Sequence, residues 1–84
     1  MNLEFKPQGY EDMRYWAETN PGKARRILEM IRELMETPEK VSPKPEPLKN
    51  ELAGWFSRPI DSKHRLVFRK DRERIEIAQL RCHV

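Results

Sequence analysis

The sequence predicts an α+β fold, with two helices packed on one face of a small, mainly antiparallel twisted sheet. Three observations predict it. "NLEF" near the start alternates like a strand, residues 24 to 35 carry one apolar stripe at helical spacing, and three alternating segments follow residue 53. The order β-α-α-β-β-β leaves the long helical stripe in need of a sheet to cover it.

In "NLEF", Leu3 and Phe5 fall on one face, and Pro7 ends the strand. Tyr10, Met13, Trp16 and Ala17 then follow helical spacing as far as Asn20-Pro21. That dipeptide starts a second helix: Asn20 can cap it, and Pro21 suits the first helical position, where no amide hydrogen is needed. Ala24, Ile27, Leu28, Ile31, Leu34 and Met35 form its stripe, with Arg25, Arg26, Glu29, Glu33 and Glu36 outside it. Each well-buried Leu or Ile contributes roughly 1.5–3 kcal/mol. Thr37-Pro38 stops the helix.

Residues 38–50 contain Pro38, Pro43, Pro45 and Pro47 and no apolar period, a composition common in linkers. The halves on either side are too small to stand alone, so an ordered connection across one face is expected. Gly54 to Ile60, His64 to Arg69 and Ile75 to Cys82 read as three strands, with "KDRE" at 70–73 as a turn. Leu66 and Phe68 point one way, and Arg65, Val67 and Arg69 the other. The face away from the helices is therefore expected to be bare and basic.

The 84 residues predict a single domain, residues 1–84, without room for a second core. With 37% charged residues and a mean hydropathy of -0.93, few apolar residues can be spared for the surface. Charge is unevenly placed: residues 1–39 carry 6 Lys/Arg against 8 Asp/Glu, a net of -2, and residues 40–84 carry 11 against 6, a net of +5. A basic second half fits a polyanionic partner, and also fits an unevenly decorated surface. One cysteine, Cys82, allows no internal disulfide and suits a reducing cytosol. With two histidines, His64 and His83, and no spaced Cys pair, no metal site or cofactor is expected. The first residues are charged too early for a secretory signal, and no apolar run approaches ~18 residues. The expectation is a cytoplasmic protein that does not span a membrane.

RNA can be cut by its own 2′-hydroxyl, without a metal. The reaction needs a base for that proton, positive charge at the crowded phosphate, and an acid for the departing 5′-oxygen. Glu46, Arg65 and His83 are one such set. Glu46 stands between Pro45 and Pro47, which restrict the loop and aim the carboxylate. Arg65 alternates away from the core, and His83 is a histidine suited to proton transfer near neutral pH. Each has a plainer alternative: a solvated loop acid, a surface ion pair and a frayed end. Lys49, Arg58, Lys63, Arg69 and Arg81 are candidates for holding RNA backbone, while His64 is expected to face solvent or pack structurally. Strand parity resists the trio. If Lys70 pairs with Glu73, Arg65 shares a face with Ala78 and not with odd-numbered His83, unless an odd connection, a bulge or a departure from the strand intervenes.

The same residues carry a resemblance. "KPEPLKNELAGWFSRPIDSKHRLVF" and the final "CHV", together with "YEDMRYW", resemble the YoeB toxins of the RelE superfamily, and the match runs the whole length without a gap. The resemblance implies a ribosome-dependent endoribonuclease that cuts mRNA in the decoding A site and is silenced by a YefM-type antitoxin. It implies Glu46 as general base, His83 as general acid, Arg65 as stabiliser of phosphorane charge and Lys49 as an aid at the phosphate. It further implies a 2′,3′-cyclic phosphate product without a metal, a homodimer, and contact with operator DNA only through the antitoxin. Two positions depart from the pattern. Val84 stands where the family usually has an aromatic residue able to stack on a base, and Pro59 stands where a second arginine commonly follows the Ser-Arg pair. These departures favour an alternative, a catalytically weakened toxin acting as a binding module in an antitoxin–DNA repressor complex. A general RNA-binding domain fits less well, because the basic residues are not interleaved with exposed aromatics.

Overall fold

The computed structural model describes residues 1–82, so the expectations placed on His83 and Val84 lie outside the described residues. The chain runs β1 (Asn2–Phe5), α1 (Pro7–Thr19), α2 (Pro21–Glu36), β2 (Glu46–Pro47), β3 (Phe56–Pro59), β4 (Arg65–Lys70) and β5 (Arg74–Gln79), with single turns of 3-10 helix at Pro38–Lys40 and Asn50–Leu52. The strands make one sheet in the order β1-β5-β4-β3-β2. β1 joins β5 in parallel and the remaining neighbours are antiparallel. The expected α+β architecture is therefore present, with one strand more than the periodicity showed. That strand, β2, is two residues long and lies inside the proline-rich connection, too short to display a period.

Asn20 caps α2 as expected, its side-chain oxygen accepting from the Lys23 backbone N–H at 3.1 Å. The core is built from Ile27, Met30, Ile31 and Leu34 of α2 against Leu66 and Phe68 of β4 and Ile75 and Ile77 of β5. The α2 stripe is turned from the expected one: Met30 is fully buried and Leu28 is 47% exposed. Both residues flank the Ile27–Ile31–Leu34 line, and the sheet meets the side on which Met30 stands.

The face of α1 is turned too. Tyr10 is exposed at 54%, while Gly9, Asp12 and Trp16 are buried. The helix lies so close to β5 that a Cβ on Gly9 would come within 2.3 Å of the Ile77 carbonyl oxygen. Only glycine permits that approach. Asp12, 1% exposed, accepts from Leu80 N at 2.8 Å and from Gln8 Nε2 at 2.9 Å, and Trp16 Nε1 donates to the Leu80 carbonyl at 2.9 Å. A buried aspartate satisfied by a backbone N–H replaces the apolar contact that spacing would favour.

The β4–β5 register departs from the expected one. Lys70 pairs with Ile75, not Glu73, and the turn between them is held by Asp71, whose Oδ1 accepts from Glu73 N at 2.8 Å and Arg74 N at 3.0 Å. An irregularity between Val67 and Phe68 then shifts the pairing, so that Phe68 faces Ile77 but Val67 faces Gln79. Beyond this bulge, odd-numbered residues of both strands share the outer face.

Candidate active site

A row of Cα partners crosses the outer face of the sheet: Glu46 on β2, Ser57 on β3, Val67 on β4 and Gln79 on β5. Arg65, two residues before Val67, reaches back along this row. Its Nε donates to Ser57 Oγ at 2.9 Å and its Nη2 donates to Glu46 Oε1 at 3.0 Å. These groups line a groove of about 620 Å³ with Leu48, Leu52, Lys63, Arg81 and Cys82. The proline-flanked acid and the strand arginine are thus brought together from segments 19 residues apart.

Burial divides the site into a fixed part and an exchangeable part. Ser57 is 3% exposed and offers a rigid acceptor to Arg65. The Arg65 and Glu46 side chains are 41% and 71% exposed, so their ion pair is worth about 0–1 kcal/mol. A phosphate oxygen can therefore take over the guanidinium donors and free the carboxylate at little cost. Guanidinium geometry suits such an exchange, since its planar fork binds carboxylate and phosphate alike.

The other expected residues divide. Lys63 lines the groove, and Lys49 is exposed, one residue before the Asn50–Leu52 turn and three after Glu46. Arg81 lines the groove and stacks on Tyr15, its guanidinium carbon 3.7 Å from the ring centroid. Arg58 does not reach the groove. It projects from β3 towards the helices, 7% exposed, where it donates to the Met30 carbonyl at 3.3 Å and meets Glu33 at 2.9 Å. Ser57 and Arg58 alternate along β3, so only one of them can face outwards.

The outer face is also less bare than expected. Val67 is buried there, and Arg69 is engaged by Glu76 at 2.8 Å and lies 4.4 Å from the Trp55 ring. Glu76 is further met by Lys6 at 3.2 Å and Arg74 at 3.8 Å. Hydrogen bonding from Arg69, with a smaller contribution from Lys6, lowers its carboxyl to about 2, against the opposing effect of burial. Arg69 thus belongs to a structural cluster.

His64 packs structurally, one of the expectations for it: its ring meets Trp16 edge-on at 5.0 Å and its Nδ1 accepts from Cys82 N at 2.9 Å. Spacing did not single out Ser57 as a site residue; its alternation with Arg58 in "WFSR" is the signal that could have. His83 and Val84 lie outside the described residues. Among the described residues, no group of three His, Cys, Asp or Glu is placed to hold a metal ion, and no helix is long and apolar enough to cross a membrane.

A family model for YoeB-like toxins of bacterial type II toxin-antitoxin systems matches residues 5–84. The chain is 40% identical over 83 residues to toxin YoeB of Streptomyces coelicolor, covering 99% of each. It superposes with a TM-score of 0.88 on the toxin chain of a YoeB–YefM complex from Staphylococcus aureus, at 34% identity over 100% of this chain and 98% of that one. A YoeB dimer from the same organism gives a TM-score of 0.85 at 33% identity, over 100% and 98%.

Proposed function

This chain belongs to the YoeB-like toxins of bacterial type II toxin-antitoxin systems, and on that premise we propose that it is a ribosome-dependent endoribonuclease that cuts mRNA in the A site. The observation that carries the reading is the Ser57–Arg65–Glu46 chain of hydrogen bonds at the floor of the groove. Glu46 takes the proton of the 2′-hydroxyl as its oxygen forms a bond to phosphorus. Arg65, held by Ser57, stabilises the charge that builds on the phosphorane oxygens. The bond from phosphorus to the 5′-oxygen breaks, and protonated His83 gives that oxygen its proton. Lys49 and Lys63 hold the neighbouring backbone, and Val84 takes the place of a stacking aromatic residue. The scheme uses no metal.

The fragment upstream of the cut then ends in a 2′,3′-cyclic phosphate. Chemical analysis of that end is the test, since a free 3′-hydroxyl would require a different nucleophile.

The toxin chain of the S. aureus structure is bound to YefM, and a YefM-like antitoxin is the partner proposed here. The net charge of +5 over residues 40–84 suits an acidic antitoxin segment. Operator DNA is reached through that antitoxin. A homodimer of the free toxin is proposed by likeness to the S. aureus dimer.

One observation favours a second reading, a weakened toxin serving as a binding module. Pro59 is the Cα partner of Arg65, so the position where the family commonly carries another arginine lies directly across from the phosphate-binding group and has no charge. A message left intact by the wild type and cut by Val84→Tyr would identify the C-terminal residue, not Pro59, as the cause of weakening.

A further inference from the structure

β5 ends at Gln79, and side chains from elsewhere hold the backbone that follows it. Asp12 binds Leu80 N, Trp16 binds Leu80 O, and His64 Nδ1 accepts from Cys82 N at 2.9 Å. The first two contacts are made from α1. The third comes from the residue just before β4, and it is the last of them before His83.

His64 is itself firmly held. Its ring stands edge-on to Trp16 at 5.0 Å and 81°. Its backbone N donates to Asp61 Oδ1 at 2.7 Å, and its carbonyl accepts from Ile60 N at 2.9 Å. Asp61 is ion-paired with Lys23 of α2. Hydrogen bonds from Lys23, then from the His64 and Lys63 backbone, hold the Asp61 carboxyl well below the usual carboxylate range.

We propose that His64 is a positioning residue for His83. By accepting from Cys82 N, it anchors the last described residue, the one that leads into His83. The inference rests on the nuclease reading above. Cys82 lines the same groove as Glu46 and Arg65, and His83 is the next residue in the sequence. His64 touches no reacting atom in this scheme; it acts through Cys82. An error of about 1 Å in placing a reacting group can cost on the order of 10²-fold in rate, so the backbone under an acid needs such an anchor.

The test compares wild type, His64→Phe and His64→Asn by two independent measurements. Amide hydrogen exchange at Cys82 reads the anchor, and single-turnover mRNA cleavage on translating ribosomes reads the chemistry. Phenylalanine keeps a ring against Trp16 without an acceptor, whereas asparagine keeps an acceptor near the Nδ1 position. The expected result for His64→Phe is faster Cys82 exchange and a kcat lower by about 10–10²-fold, with KM for ribosomes and Tm near wild type. His64→Asn restores protection and much of the rate. Unchanged exchange in His64→Phe, or faster exchange without loss of rate, would overturn the proposal. So would a fall in Tm that parallels the lost rate and is not reversed by asparagine. A wild type that cuts no message sinks the nuclease reading and the catalytic half of this one, and Cys82 exchange still decides whether His64 holds the segment.

Discussion

Arg65 Nη2 lies 3.0 Å from Glu46 Oε1, so the groove's arginine and its carboxylate occupy each other in the free protein. The pair is exposed enough to be weak, and the Ser57 contact is made through a different nitrogen, Nε, so opening the pair does not require breaking it. In the mechanism proposed above, Arg65 would be oriented before a phosphate arrives, and Glu46 would become available when one does.

Removing that guanidinium should cost catalysis far more than folding. Arg65→Ala is expected to slow cleavage on ribosomes by about 10²–10³-fold. Arg65→Lys should recover little, because an ammonium lacks the planar fork that meets Ser57 and a second acceptor together. Single-turnover rates measured by primer extension check both, with Tm expected within a few degrees of wild type.

Arg58 gives the opposite pattern. It is buried against Met30 and Glu33 on the helix side, so Arg58→Ala should destabilise the fold by about 1–3 kcal/mol. Cleavage per folded molecule should stay near wild type. Urea unfolding beside an active-fraction titration separates the two effects.

Asp12→Ala leaves Leu80 N–H buried without its acceptor, and is expected to cost about 1–3 kcal/mol of stability. Asp12→Asn keeps an oxygen for that amide and should lose less. Chemical denaturation of the two variants checks the order.

Acid should weaken the protein through Glu76. Its carboxyl is lowered from 4.5 to about 2 in the fold, chiefly by Arg69. The folded state therefore binds this proton less readily than the unfolded state. The stabilisation is complete above pH 4.5 and is lost as pH falls from 4.5 towards 2. Glu76→Gln should be less stable than wild type at neutral pH, lose less as pH falls, and converge with it near pH 2. Thermal melts across that range measure the convergence.

Much of this was legible in the sequence, and the parts that were not share a physical cause. The α2 cap, the helix stops and four of the five strands follow from local signals: Asn20, Pro21 and Pro38, and the alternation in "NLEF" and in the segments around Ser57, Leu66 and Ile77. Glu46 and Arg65 were singled out by loop stiffness and strand parity, and the fold brings them together. What escaped depended on contacts between distant segments. Gly9 and Asp12 are buried because β5 lies against α1, Met30 replaces Leu28 because of where the sheet meets α2, and the Val67/Phe68 bulge sets the register. Arg58 was misassigned because charge alone placed it at the surface, whereas strand alternation opposite Ser57 turns it inwards.

The most direct measurement is the mapping of mRNA ends after incubation with translating ribosomes, beside the same message free in solution. The groove chemistry proposed here predicts cuts at fixed codon positions on ribosomes and little cutting of the free message. Glu46→Gln and Arg65→Ala should each abolish most of it. Cuts of equal strength in both variants, or a message left whole by the wild type, would contradict it.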